Sequence, residues 1–315
     1  MKLITEISIP SPLISVTYDR PLLTMGSCFA ENMGERLRQY GFDSDVNPFG
    51  ILYNPLSIAS SLERLMSGKL FTEAELFQYN GLWHSYAHHG SFSAVAIGET
   101  LEKINASLVT AAERLADYGI LLVTFGTAWV YRKNDSENVV ANCHKVPEKY
   151  FTRSRLSVED ITSLWIPLLQ RLKQLNPNLR VLFTVSPIRH WKDGAHENQL
   201  SKAALLLAIE QLKDSCDIAY FPAYELMMDE LRDYRFYAAD MLHPSDLAID
   251  YIWERFVASC FDKSTRETMR EVEQINRAMS HRPLNPDSEE YLRFRKQTLL
   301  RKADLLQRFP HLRLD

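Results

Sequence analysis

Leu22-Leu23-Thr24-Met25-Gly26-Ser27-Cys28-Phe29-Ala30 is the stretch from which the fold is read. Residues 22–25 make a short apolar run that stops at Gly26-Ser27. Beyond it Phe29, Met33, Leu37 and Tyr40 recur every three to four residues, which is one face of a helix, and Gly41 is placed to end that helix. A strand that passes through a small-residue turn straight into a helix is the joint from which α/β proteins are built.

The same joint recurs outward from there. Ile120 to Phe125, Val181 to Val185 and Ile218 to Phe221 are apolar nearly throughout, as strands covered on both faces must be. Helical patterns fall between them. Asn54-Pro55 reads as an N-cap with Pro at the first helical position, followed by Ile58, Leu62 and Leu65. Leu101, Ile104, Leu108, Ala111 and Leu115 form another stripe, and residues 157–175 and 195–212 carry two more. Ser245 is placed to cap a helix that buries Leu247, Ile249, Ile252 and Phe256. The alternation predicts a three-layer α/β fold around a parallel sheet.

After Cys260 the texture changes. Met269, Val272, Ile275 and Met279 mark a helix, and the prolines between His281 and Pro286 break it. Asp287 and Glu290 resemble a capping box, and Leu292, Leu299 and Leu306 then repeat every seven residues among Arg and Lys. The chain therefore divides into an α/β domain over residues 1–262 and a helical extension over 263–315. The last helix is expected to pack on the domain with its basic face in water, with self-association through that helix as its other use.

Composition sets the bounds. Of 315 residues, 46% are apolar and 24% charged, which excludes a disordered chain, a collagen-like fibre and a small disulfide scaffold. A net charge of -4 gives no basic field to draw nucleic acid. Cys28, Cys143, Cys216 and Cys260 are scattered without a CxxC pair, so neither a zinc site nor a disulfide framework is expected. Met1 to Pro10 lacks the apolar stretch of a secretory signal, and no apolar run approaches the roughly 20 residues of a membrane helix. A reduced, cytoplasmic protein with no membrane partner is the expectation.

Two places can carry chemistry. Ser27 stands where a strand gives way to a helix, at the carboxyl edge of an open sheet, where ligands bind. A helix N-terminus also offers free N–H groups to a developing oxyanion, although Ser27 can equally serve as a plain N-cap. Asp240 and His243 precede the helix capped by Ser245. A histidine can accept a serine proton while a carboxylate fixes its tautomer, but three-residue spacing of Asp and His is common by chance.

Gly26-Ser27-Cys28-Phe29-Ala30 is similar to the motif that names the GSCFA family. Further blocks carry the resemblance from Pro21 to Phe261. They are Asn47-Pro48-Phe49-Gly50, Gly126-Thr127-Ala128-Trp129, Asn142-Cys143-His144-Lys145, Ser186-Pro187-Ile188-Arg189-His190, and Asp240 to Pro244. That family is grouped with the SGNH/GDSL hydrolases, so the resemblance implies a flavodoxin-like (SGNH-type) sheet and cleavage of esters. An early Ser would attack and a late DxxH would supply acid and base, which puts Ser27, Asp240 and His243 in the catalytic places.

Two departures from the superfamily pattern matter. An Asp precedes the Ser there, whereas Gly26 does here, and aligning the glycines instead would put Cys28 in the nucleophile's place. Ser27 is preferred because it ends the strand. The superfamily's Gly-x-Asn-Asp block is replaced by Gly126-Thr127-Ala128-Trp129, so its oxyanion Asn is missing. Thr127, Asn142 or Asn47 could donate instead, and Gly50 stands for the superfamily's glycine donor. Loss of one such donor costs about 10²–10³ in turnover.

The remaining polar clusters have plainer readings. Trp83 to His89 is rich in histidine, and His84 and His88 are four apart, but the flanking glycines and aromatics favour packing or a cleft wall over a metal. His144 and His190 each follow a strand-like run and could line the sheet edge. Trp129, Trp165, Trp191 and Trp253 are expected in the core, Trp129 being the one nearest the site. The implied activity is hydrolysis of a carboxylic ester, with a small-molecule or carbohydrate acyl ester as substrate and no metal or organic cofactor required. The alternatives are acyl transfer by the same residues and a degenerate carbohydrate- or partner-binding module.

Overall fold

The protein is described here by a computed structural model covering residues 5–314. Met1 to Ile4, part of the N-terminal stretch read above, and Asp315 lie outside the described residues. In chain order the elements are β1 (Leu22–Gly26), α1 (Cys28–Gln39), β2 (Ser44–Val46), α2 (Pro55–Ser67), β3 (Leu76–Tyr79), β4 (Leu82–Ser85), α3 (Ile97–Glu113), β5 (Ile120–Phe125), β6 (Trp129–Lys133), β7 (Val139–Val140), β8 (Phe151–Arg155), α4 (Val158–Leu175), β9 (Arg180–Val185), α5 (Gly194–Ser215), β10 (Ile218–Phe221), α6 (Ala223–Glu225), α7 (Asp246–Cys260), α8 (Lys263–Met279) and α9 (Glu289–Arg308).

Five strands form the central sheet in the order β10-β9-β5-β1-β2, all parallel. Counting only these strands along the chain, the order is the flavodoxin-like one, and the connection reverses direction between β1 and β5. Side chains of a strand alternate between faces, and the apolar runs divide accordingly. Leu23, Met25, Leu121, Val123, Val181 and Phe183 join a core with α2 to α5, whereas Leu22, Ile120, Leu122 and Leu182 join a second core with α1, α7 and α8. The three-layer α/β reading from sequence therefore holds. Burial of each large apolar side chain contributes about 1.5–3 kcal/mol, and both faces of β5 are filled this way.

Two excursions flank the carboxyl edge. The antiparallel hairpin β3–β4 lies between α2 and α3, and the antiparallel sheet β7-β6-β8 lies between β5 and α4. Beyond Asp262, which caps α8 by accepting from the Thr265 N–H at 2.7 Å, Met269, Val272 and Ile275 enter the second core.

Three details differ from the sequence reading. The cap of α9 is Ser288, which accepts from the Tyr291 N–H, rather than a box of Asp287 and Glu290. In α7, Ala248, Ile252, Trp253 and Phe256 are buried while Leu247 is exposed. In α9 the heptad leucines Leu292 and Leu299 face out, and Thr298 and Leu305 face in. A one-residue difference rotates a helix by about 100°, and α9 turns Leu305 into the second core, with Arg308 reaching Glu271 and Arg301 reaching Gln274 on α8.

Candidate active site at the sheet edge

Ser27 leaves β1 in an extended conformation (φ -69°, ψ 177°) and N-caps α1, its hydroxyl accepting from the Phe29 N–H at 3.3 Å. It is 1% exposed. Its own N–H donates to the Thr124 carbonyl at 3.3 Å. The preceding Gly26 has φ +138°, and a Cβ there would lie 2.2 Å from the Thr124 carbonyl oxygen. Any side chain at position 26 would collide with β5 backbone.

The Asn47 to Gly50 loop grips the same strand end. Asn47, at φ 45°, accepts the Gly26 N–H on Oδ1 at 2.9 Å and donates its own N–H to the Thr24 carbonyl at 2.9 Å. Its buried Nδ2 has no hydrogen-bond partner among the described residues. Gly50, at φ +75°, donates its N–H to the Asn47 carbonyl at 2.7 Å, and a Cβ on it would lie 2.3 Å from His89 Cβ. The N–H groups of Ser27 and Gly50 are thus both engaged inside the protein, which leaves Asn47 Nδ2 as the unengaged donor beside Gly26. Thr127 is also tied down. Its N–H donates to the Tyr53 carbonyl, and its hydroxyl accepts from the Trp129 N–H and meets Ser201 Oγ at 3.1 Å.

Asp240 and His243 meet on the loop before α7. Asp240 Oδ1 accepts the N–H groups of Leu242 and His243, each at 2.9 Å, and Oδ2 lies 2.5 Å from His243 Nδ1. The two backbone donors, with the ring behind them, hold the Asp240 carboxyl at about 2. The loop is pinned by Ala238 N–H to the His243 carbonyl at 2.7 Å and by Ser245 N–H to the Phe236 carbonyl at 2.8 Å. Both side chains are about half exposed. Among the described residues no hydrogen bond joins His243 to Ser27, so the structure pairs Asp240 with His243 and leaves Ser27 apart from them.

His190 stands on the loop after β9, its N–H donating to Asn198 Oδ1 at 2.9 Å. Burial holds its imidazole down to about 4, with the charges of Lys202 and His243 acting in the same direction. Its ring meets Tyr53 edge-on, and its Nε2 is buried without a partner among the described residues. Cys28 is partly buried, and that burial pushes its thiol up from the ordinary range. A reactive thiolate needs the opposite shift.

Asn142 and His144 are elsewhere. Asn142 Oδ1 accepts the His144 N–H, and His144 Nε2 lies 2.8 Å from the Ser85 carbonyl, with its ring against His84. His84 bonds to Ser93 and Tyr79, while His88 stacks on Phe49 and meets Ser85 Oγ. These histidines knit the β3–β4 hairpin to the Asn47–Gly50 loop. Burial holds His88 down to about 3 and His144 to about 4. Of the tryptophans, Trp165 and Trp253 are buried, Trp129 is half-buried under Arg153, and Trp191 is exposed.

Sequence reasoning missed a buried polar face on α5. Lys202 is 1% exposed and donates to the carbonyls of Gly126 and Ser186. Burial pulls its ammonium down to about 7. The signal was present, because Lys202 interrupts the inward row that continues through Leu205, Ile209 and Leu212.

The family model for the GSCFA family matches residues 21–256, and that for the GSCFA domain protein, C-terminal domain, matches residues 272–315. No curated protein matches the chain. Among solved structures the chain is similar to an acetyl xylan esterase (Est2A) from the rumen bacterium Butyrivibrio proteoclasticus. That likeness has 14% identity and a TM-score of 0.39, over 77% of this chain and 63% of the esterase. Among the described residues no helix is long and apolar enough to cross a membrane, and no group of His, Cys, Asp and Glu could hold a metal ion.

Proposed function

The chain belongs to the GSCFA family, and from its sheet edge we propose that it is a serine-dependent hydrolase of carboxylic esters, removing an acyl group such as acetyl from a small molecule or carbohydrate. Ser27 attacks the carbonyl carbon and His243 Nε2 takes the hydroxyl proton. Asp240 holds the imidazole by its Nδ1–H. The tetrahedral oxygen is received at the N-terminus of α1, with Asn47 Nδ2 as a further donor. Collapse returns the proton to the leaving alcohol, and water then releases the acid by the same route in reverse.

The observation that carries this reading is the Asp240–His243 pair. A carboxylate engaged by two backbone N–H groups is fixed and ionised, so it selects the tautomer whose Nε2 is free to accept. The raised Cys28 thiol supports Ser27 over Cys28 as nucleophile. The division at Asp262, a cytoplasmic setting, independence from nucleic acid and self-association through α9 belong to the same proposal.

One observation favours a second reading, a non-catalytic binding module: the N–H groups of Ser27 and Gly50 are engaged by Thr124 and Asn47. A fluorophosphonate probe with site-resolved mass spectrometry separates the two. Labelling at Ser27 together with hydrolysis of an aryl acetate is the expected result, and a folded protein inert to both would overturn the hydrolase reading. Product analysis with added sugar acceptors distinguishes transfer from hydrolysis.

A further inference from the structure

The carboxyl ends of β5 and β9 are joined by the Ser186 N–H, which donates to the Phe125 carbonyl at 2.8 Å, and beyond that bond by a side chain. Phe125 and Val185 are the last paired residues of these strands. Just beyond them, Lys202 Nζ donates to the Gly126 carbonyl at 2.7 Å and to the Ser186 carbonyl at 2.9 Å. Its ammonium also lies 5.3 Å from the centre of the Tyr224 ring.

Lys202 does not act alone. Asn198 and Ser201 lie four and one residues before it on α5, and all three are at most 4% exposed. Ser201 Oγ accepts the Ala128 N–H at 2.8 Å and meets Thr127 Oγ1. Asn198 Oδ1 accepts the His190 N–H at 2.9 Å. One face of α5 therefore holds the loop after β5 and the loop after β9 together, and those loops carry Thr127 and His190. Burying a lysine carries a desolvation cost of several kcal/mol before its hydrogen bonds are counted. A leucine would pack this helix against the sheet as Leu205 and Leu212 do, so core formation alone does not account for the residue.

Resting on the hydrolase reading above, we propose that Lys202, with Ser201 and Asn198, is a positioning residue of the sheet-edge site: it staples the loops after β5 and β9 so that they flank Ser27 in one fixed arrangement. Gly26 is paired with Thr124, two residues before the Gly126 carbonyl that Lys202 holds, so the staple stands next to the Ser27 strand end.

The test uses the full chain and the variants Lys202→Met, which removes charge and donors, and Lys202→Gln, which keeps one N–H donor pair. Two readings are taken: kcat and KM on an aryl acetate, and amide hydrogen exchange at Ala128 and His190. Lys202→Met is expected to lower kcat at least tenfold with KM within about threefold, and to speed exchange at both amides at least tenfold. Lys202→Gln should recover part of both. A folded Lys202→Met with wild-type exchange at the two amides overturns the staple. An active wild type whose kcat survives Lys202→Met overturns the positioning role while the hydrolase reading stands. If the wild type shows no turnover, the hydrolase reading fails and exchange alone judges the staple. Should Lys202→Met not fold, Lys202→Gln and Ser201→Ala decide by the same readings.

Discussion

Asp240 binds His243 twice, accepting its backbone N–H on one carboxylate oxygen and meeting its ring Nδ1 at 2.5 Å with the other. The backbone contact fixes the distance between the two residues, and the ring contact fixes the imidazole's tautomer. Because the carboxyl titrates at about 2, it stays ionised wherever the protein is folded and useful.

The acid side of the activity profile should therefore carry no limb from Asp240. Esterase activity is expected to fall as the imidazole gains a proton, because the protonated ring cannot accept from Ser27. Asp240→Asn should retain the fold and lose up to about 10⁴ in kcat, and His243→Ala at least as much. Near wild-type kcat in His243→Ala, with the acid limb unmoved, would shift the base assignment to His190.

The nucleophile can be decided with two alanines. Ser27→Ala should abolish hydrolysis and probe labelling, whereas Cys28→Ala should keep most of both. Because burial raises the Cys28 thiol, iodoacetamide should modify it slowly at neutral pH. The reverse pattern, with loss in Cys28→Ala and survival in Ser27→Ala, would make Cys28 the attacking group.

Backbone geometry predicts which glycines are indispensable. Gly26→Ala would place a methyl 2.2 Å from the Thr124 carbonyl oxygen, and Gly50→Ala would place one 2.3 Å from His89 Cβ, both at positive φ. Each should destabilise by about 1–3 kcal/mol or more. Gly98, on α3 with open space around it, is the control, and Gly98→Ala should be neutral or stabilise by up to about 1 kcal/mol. Thermal denaturation of the three variants checks the ranking.

Three histidines predict the acid stability. His88, His144 and His190 titrate at about 3, 4 and 4 in the folded protein, held down by burial, against about 6.5 in the unfolded chain. Below pH 6.5 the unfolded chain takes up protons that the folded protein refuses, so stability is complete above that pH and is lost as pH falls toward 4. For His88, the most buried, the loss between pH 7.5 and 5 should be on the order of 1–2 kcal/mol. Urea midpoints at the two pH values measure it. In His88→Phe the difference should shrink, and an unchanged difference would refute the account.

The last helix offers a contrast between neighbouring turns. Leu305→Ala, at a fully buried site, should cost about 2–5 kcal/mol. Leu299→Ala, at an exposed one, should stay within about 0.5 kcal/mol in the dilute monomer, where self-association through α9 is absent. Equal costs would mean that the heptad leucines are covered in solution.

These contrasts mark where the sequence was readable. The five central strands and their helices were legible because burial on both faces leaves unbroken apolar runs such as Ile120 to Phe125, and amphipathic helices leave stripes such as Ile104, Leu108 and Ala111. The place of Ser27 at a strand-to-helix joint followed from Gly26-Ser27, and three-residue spacing allowed Asp240 and His243 to touch. Orientation was not legible in α9, where Leu305 rather than the seven-residue leucine row faces the core. Nor was the grouping of polar residues far apart in sequence. His144 and His190 follow similar apolar runs, yet one packs under a hairpin and the other lies at the sheet edge. Lys202 interrupts an apolar row, but what Asn198, Ser201 and Lys202 bind is visible only with the sheet in place beside them.

The second core has a consequence for how the protein is made. Ile14 and Val16 are buried there alongside Leu305 and Leu312, and the Arg313 N–H donates to the Gly41 carbonyl at 2.8 Å. A chain emerging from the ribosome can complete the other face of the sheet once β10 and Tyr224 are out, but this face stays unsealed until residues near 312 have appeared. The nascent protein should therefore hold exposed apolar surface until those residues emerge, and chaperone engagement and aggregation compete with closure in that interval.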